Sequence, residues 1–234
     1  MDLHPALDLD RSIRPGLDIL ANEIVIALKK RLRFAANPAV YKPGLVRGKP
    51  GIPLLAYVLE GTERIHGELG RYTYASQEAF SDLEGVEPII ERESPSNPID
   101  PVPMATGEWV LERYLQWLHG ACRPGSEPDT YGETVTADVS ALLAILERIN
   151  LGKYVAESKL AERPEAFRAT GGDRAAILTL IVREDREVKV LELAARLAEH
   201  YELAPALAVD VFRWTIELTK DVEVLYIRRR LGLA

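Results

Sequence analysis

The stretch Leu146-Glu-Arg-Ile-Asn-Leu-Gly-Lys-Tyr-Val-Ala-Glu-Ser-Lys-Leu160 decides how this chain folds. It carries Arg148 and Lys159 eleven residues apart inside a helical pattern. At 3.6 residues per turn that spacing is about three turns, which puts both cations on one face. Leu142, Leu143, Ile145, Leu146, Ile149 and Val155 surround them, so much of the helix is expected to be buried. A long cation on a buried face needs an anionic partner, because an unpaired buried charge is costly. That partner is either an internal carboxylate or a bound anion.

Two further features bear on the choice. Thr219 and Glu223 stand four apart in a helical run from Pro205 to Leu231, hence stacked on one face. Glu187 lies near the start of the amphipathic run Arg186-Glu-Val-Lys-Val-Leu-Glu-Leu193. Two cations, two carboxylates and a hydroxyl projecting from helices suit a small polar anion held inside a bundle.

Composition narrows the classes. The 234 residues are 47% apolar and 28% charged, with a net charge of −7. That charge argues against nonspecific nucleic-acid binding, which needs a basic field. An anionic ligand must therefore be captured by a local cationic pocket. The single cysteine, Cys122, excludes an internal disulfide framework and suits a reducing compartment. Four scattered histidines with that single cysteine offer no metal-ligand spacing, so no metal is expected. Met1-Asp-Leu-His-Pro-Ala6 lacks the regions of a signal peptide, and no apolar run reaches the ~18 residues of a membrane span. The expected location is cytoplasmic.

Along the chain, apolar spacing from Ile13 to Ala35 predicts a first helix of about 25 residues, stopped by Asn37-Pro38. Lys42 to Pro53 reads as a loop. A second helix is predicted from Leu54 to Tyr72, then Pro-rich sequence to Pro103 with at most a short helix near Leu83 to Glu91. Ser94 to Pro103 is a linker by composition. Helix returns from Glu108 to Ala121, and Arg123 to Gly132 is turn-rich. The Arg148/Lys159 helix is expected to start near Thr136 or Asp138 as N-cap. Gly171-Gly172 closes a connecting region, with a minor helix over Asp173 to Ile181 and further helices over Glu184 to Tyr201 and Pro205 to Leu231. The β-like run Ile177 to Val182 is assigned to helix or connector, which makes the fold an all-α helical bundle. The halves echo each other: Arg31 and Lys42 repeat the eleven-residue spacing, and Thr62 and His66 repeat the spacing of Thr219 and Glu223. This predicts one domain over 1–234 made of two diverged repeats, about 10–75 and 130–232, joined by the linker.

At this point the chain resembles the all-helical chorismate mutases of the fungal and plant type. Ser12-Ile-Arg-Pro-Gly-Leu17 resembles that family's Ile-Arg-x-x-Leu element, and Phe34-Ala-Ala-Asn-Pro-Ala-Val-Tyr41 its Phe-Ala-x-x-Pro-x-Val-Tyr segment. After Tyr131-Gly132, Arg148 to Lys159 resembles Arg-Ile-x-x-Gly-Lys-x-Val-Ala-Glu-x-Lys. Thr219-Lys-Asp-Val-Glu-Val-Leu-Tyr-Ile-Arg-Arg-Arg-Leu231 resembles the family's ending. The resemblance implies conversion of chorismate to prephenate, a Claisen rearrangement in phenylalanine and tyrosine biosynthesis, without a cofactor. It implies that Arg14 and Arg148 clamp the two substrate carboxylates. Lys159 would contact a carboxylate and the ether oxygen, and Glu223 in its protonated form would face that oxygen. Glu187 would hold the hydroxyl, with Thr219 lining the pocket.

Pro15-Gly16 departs from the family's helix formers and bears on how Arg14 is aimed. Arg183 and Arg186 stand where relatives carry an asparagine and a small apolar residue, as pocket cations that bind substrate or as surface charges. His66 sits at the drifted counterpart of Glu223. Regulated relatives bind tyrosine or tryptophan at a dimer interface; the corresponding positions are Arg71 after Gly70, then Gly132, Glu133 and Thr136. One arginine of the relatives' pair is missing, and Glu133 replaces a serine near the effector carboxylate, so feedback control is expected to be weakened or absent. A homodimer is implied. The competing reading is a catalytically silent helical dimer that binds an aromatic amino acid or a protein partner. It predicts loss of Arg148, Lys159 or Glu223, and all three are present.

Overall fold

The computed structural model describes residues 8–74, 76–91, 99–102, 104 and 106–233. Among them lie ten α-helices: α1 Leu9–Ser12, α2 Arg14–Arg31, α3 Leu54–Glu68, α4 Thr106–Ala121, α5 Tyr131–Asn150, α6 Gly152–Glu162, α7 Pro164–Ala169, α8 Arg174–Ile181, α9 Glu184–His200 and α10 Pro205–Arg230. Short 3-10 turns cover Pro38–Tyr41 and Pro128–Thr130. The one strand-type pairing among the described residues is an isolated bridge between Pro43 and Pro53. The fold is all-α, as the periodicity predicts. No helix among these residues is long and apolar enough to cross a membrane.

The core forms where α2 packs along α5 and α10 packs along α9, α6 and α5. Ile24, Leu28, Leu142, Ile145, Ile149 and Phe212 are fully or almost fully buried there. A smaller cluster around Leu160, Phe167, Ile177 and Tyr226 seats α7 and α8 against the C-terminal part of α10. Ile99 and Val102 join it; most of the Pro-rich linker predicted over 94–103 lies outside the described residues.

Several boundaries differ from the sequence reading. The first helix ends at Arg31, not Ala35. Beyond it the backbone turns aside to pair with another loop: Ala36 donates to Arg123 O at 2.8 Å and Asn37 to Gly125 O at 3.0 Å. Arg31 is wholly buried and donates to the carbonyls of Ala35 and Ala36, both at 3.1 Å, closing the helix end with a side chain. The second helix stops at Glu68, because Gly70 takes a left-handed φ of 79° that ends it. Leu83 to Glu91 forms turns, not a helix. α7, which apolar spacing gave no reason to place, begins with Pro164 at its first position and buries Phe167.

The Arg148/Lys159 helix starts at Tyr131, and neither Thr136 nor Asp138 caps it. Asp138 is buried and accepts from Arg31 Nε at 2.6 Å, Tyr41 at 2.8 Å and Tyr114 at 2.8 Å. Its carboxylate ties α2, α4 and α5 together, a tertiary role that no local signal discloses. The helix start is instead fixed by Asn37, whose amide donates to Thr130 at 3.2 Å and Thr134 at 2.8 Å. The long helix is also interrupted once, at Leu151. That residue keeps right-handed angles (φ −62°, ψ −19°) and its N–H still reaches Glu147 O at 3.1 Å, so α6 continues from α5 after a single irregular residue.

Candidate active site

Arg148, Gly152, Val155 and Lys159 follow one another at helical spacing and line one cavity of about 490 Å³. From α10 the same cavity receives Thr215, Thr219, Lys220 and Glu223, and from α2 Arg14, Leu17 and Asp18. Arg183, Arg186, Glu187 and Val190 come from the start of α9. All eight residues singled out as catalytic or substrate-binding from the sequence therefore border a single space.

Close approach of α6 to α10 makes the site. Gly152 faces Thr219 and Glu223 so tightly that a Cβ would lie 2.7 Å from Thr219 Cγ2. Two turns further along α6, Lys159 Nζ donates to Glu223 Oε2 at 2.9 Å and to Ile181 O at 2.9 Å. Burial pushes the Glu223 carboxyl above the usual carboxylate range, opposed by Lys159 and aided by the nearby charge of Glu187.

Arg148 is different. It is 8% exposed, donates to Leu17 O at 2.6 Å and stacks 5.2 Å from the Phe212 ring centroid. No carboxylate among the described residues forms an ion pair with it. Burial lowers its pKa to about 10, with Asp18 opposing. A buried guanidinium without a carboxylate, open to a cavity, is a site for an anion.

Arg14 is the first residue of α2, with Pro15 beside it in the first turn, where proline is tolerated. It pairs with Asp10. Its pKa is lowered by burial and by the charges of Arg186 and Arg183, so these three arginines are near one another. Arg183 and Arg186 are exposed at the cavity mouth and both reach Asp185, at 3.5 and 4.0 Å. Glu187 stands 3.5 Å from Lys220, which also pairs with Glu217 at 2.7 Å. Asp18, Arg163 and Lys220 border the cavity without having been singled out from the sequence. Lys220 left one trace, its position one turn before Glu223 beside Thr219.

Two other charged residues of the same segment, Lys153 and Glu157, are structural. Lys153 is fully buried and donates to Glu78 at 2.5 Å and Ser76 O at 3.2 Å. Glu157 accepts from Tyr226 at 2.8 Å and Arg230 at 2.9 Å. The echoed pair in the first half does not converge: Arg31 is committed to Asp138 and Lys42 is exposed. His66 is half-buried on α3, its pKa lowered by burial and by Arg71.

The four effector-type positions do not meet within one chain. Arg71 pairs with Glu147 beside a separate cavity of about 240 Å³ lined also by Tyr72, Asn150 and Tyr154. Gly132, Glu133 and Thr136 lie in the first turns of α5, where Thr136 donates to Gly132 O at 2.9 Å. Fourteen helical residues separate Glu133 from Glu147, roughly 21 Å.

The sequence profile described as chorismate mutase type II matches residues 131–224, the half that supplies most of this cavity. A chorismate mutase of Emericella nidulans is 32% identical over 98% of this chain and 95% of its own length. The solved chloroplast chorismate mutase of Zea mays superposes with a TM-score of 0.87 at 26% identity, covering 97% of this chain and 96% of that one. The Candida albicans chorismate mutase, solved in complex with L-Trp, superposes with a TM-score of 0.85 at 25% identity, covering 95% and 91%. Likeness over the whole length, together with a cation-lined cavity between helices, has one consistent meaning: the chain belongs to the chorismate mutase family of fungal and plant type, isomerases of aromatic amino acid biosynthesis.

Proposed function

We propose that the 490 Å³ cavity is the chorismate site in which this enzyme forms prephenate. The observation that carries the reading is Arg148, buried with no carboxylate partner among the described residues and lining the same cavity as the pair Lys159–Glu223. The substrate is a dicarboxylate that must be folded until its two reacting carbons meet. One C–O bond breaks, one C–C bond forms, and negative charge develops on the ether oxygen. Neither nucleophile nor cofactor is needed; positioning and electrostatic stabilisation supply the rate.

Arg14 and Arg148 clamp the two carboxylates with planar forks suited to that geometry. Lys159 turns its ammonium from Glu223 toward a carboxylate and the ether oxygen. Glu223, protonated, donates to the same oxygen from the other side, and its raised pKa supports that state. Glu187 accepts the substrate hydroxyl, and Thr219 lines the wall. Arg183 and Arg186 add positive potential at the mouth and contact the substrate as it enters. The test is the loss of chorismate absorbance with purified protein. Arg148→Ala is expected to lower kcat/KM by ~10²- to 10³-fold, the scale of one lost transition-state donor. Turnover within a few-fold of wild type in that variant would sink the assignment.

We read the active form as a homodimer joined in part through α3, where Tyr57, Ile65 and the following Leu69 leave much of their apolar surface exposed. The chain acts as one catalytic domain of two diverged repeats, in the cytoplasm. Feedback by tyrosine or tryptophan is weak or absent. Support comes from the engagement of Arg71 with Glu147 and from Glu133 standing where an effector carboxylate would be repelled. Strong tyrosine inhibition in a steady-state assay would overturn this.

A further inference from the structure

Lys220 follows Thr219 on α10, and its ammonium lies between two carboxylates, 2.7 Å from Glu217 Oε1 and 3.5 Å from Glu187 Oε1. The two acids are unlike. Glu217 is 59% exposed and lies outside the cavity, whereas Glu187 is half as exposed and lines it. The lysine itself is 19% exposed, so most of its stem and head are covered.

We propose that Lys220 is a positioning residue for the mutase reaction: anchored on Glu217, it holds Glu187 turned so that one oxygen faces the lysine while the other accepts the substrate hydroxyl. The inference rests on the reading that Glu187 holds that hydroxyl. Its physical ground is the placing of a partly buried carboxylate in a cavity that also holds a second acid, Glu223. Glu187 raises the pKa of Glu223 and Lys220 lowers it, so the three groups share one field. Without the lysine, Glu187 would lose its counter-charge and its orientation together. Burial opposes the charge on Lys220, yet Glu217 and Glu187 hold its pKa above the usual lysine value. Lys220 therefore stays cationic through the working range. An acceptor for a spectator hydroxyl acts in ground and transition states alike, so its loss appears in KM.

Kinetics of Lys220→Met, Glu187→Gln and the double variant test this. Lys220→Met is expected to raise KM by ~10-fold with kcat within ~2-fold, the signature of lost uniform binding. Lys220→Arg, which reaches both acids, should recover most of that loss. In the double variant, removing the lysine after Glu187→Gln should change kcat/KM by less than ~2-fold, since the two act as one unit. Should Lys220→Met fail to fold, Glu217→Gln at the exposed end should still raise KM by ~2- to 3-fold through the loosened anchor. Additive losses across the cycle, or wild-type KM in Lys220→Met or Glu217→Gln, overturn the role of the lysine while leaving Glu187 in place. Wild-type kinetics in Glu187→Gln alone would remove both.

Discussion

Gly152 and Thr219 approach so closely that only hydrogen fits on the glycine: a Cβ would stand 2.7 Å from Thr219 Cγ2. Thr219 cannot easily rotate away, because its hydroxyl donates to Thr215 O at 2.8 Å. This contact sets the spacing of α6 and α10, and with it the reach of Lys159 to Glu223.

Gly152→Ala separates stability from activity. Alanine favours the helix by ~1 kcal/mol over glycine, while overpacking costs ~1–3 kcal/mol, so the denaturation midpoint should fall only slightly. A shift of the helices by ~1 Å should nevertheless lower kcat by ~10- to 100-fold. Full activity with an unchanged midpoint would show that the contact does not position the site.

Glu223 makes turnover depend on pH. Burial raises its folded-state pKa, and only the protonated form donates to the ether oxygen. Activity should therefore be highest at mildly acid pH and decline as pH rises through that raised value. The linkage to stability has the same sign: the contribution of this group is fully present below its unfolded pKa and is lost as pH rises through the folded one. In Glu223→Gln the amide donates at every pH, so a pH–kcat profile should lose this limb. Persistence of the limb in the glutamine variant would assign it to another group.

Asp138 offers a test away from the cavity. Replacing it by alanine strands the buried Arg31 guanidinium and two tyrosine hydroxyls, at a cost of ~3–5 kcal/mol for a broken buried pair. Urea denaturation should show that loss, with kcat of the folded fraction near wild type at low temperature. A midpoint shift below ~1 kcal/mol would mean that the cluster relaxes without penalty.

The mouth arginines predict a salt effect. A chain of net charge −7 presents Arg14, Arg183 and Arg186 together at the entrance of the cavity. Raising ionic strength should lower kcat/KM for the dianionic substrate, because exposed charges are screened beyond ~10 Å at 0.1 M salt. Replacing Arg183 and Arg186 by alanine should lower kcat/KM by ~3- to 10-fold at low salt and flatten the dependence. Equal salt slopes in the two proteins would leave these arginines as surface charges.

The sequence by itself determined the helical class, the order of the long helices and eight of the residues that border the cavity. Apolar spacing at 3.6 and the pairs Arg148/Lys159 and Thr219/Glu223 are local, and local periodicity is written directly in the chain. Contacts between distant segments decided the rest. Asp138 reads as a cap in isolation and becomes a buried acceptor only when Arg31, Tyr41 and Tyr114 arrive from other elements. Lys153 and Lys159 look alike on paper, yet Glu78 from a remote loop neutralises one and leaves the other at the cavity beside Glu223. Which charges pair deep inside the protein and which border the cavity depends on what folding brings within a few ångströms, and that distance is a property of the packed chain, not of any one segment.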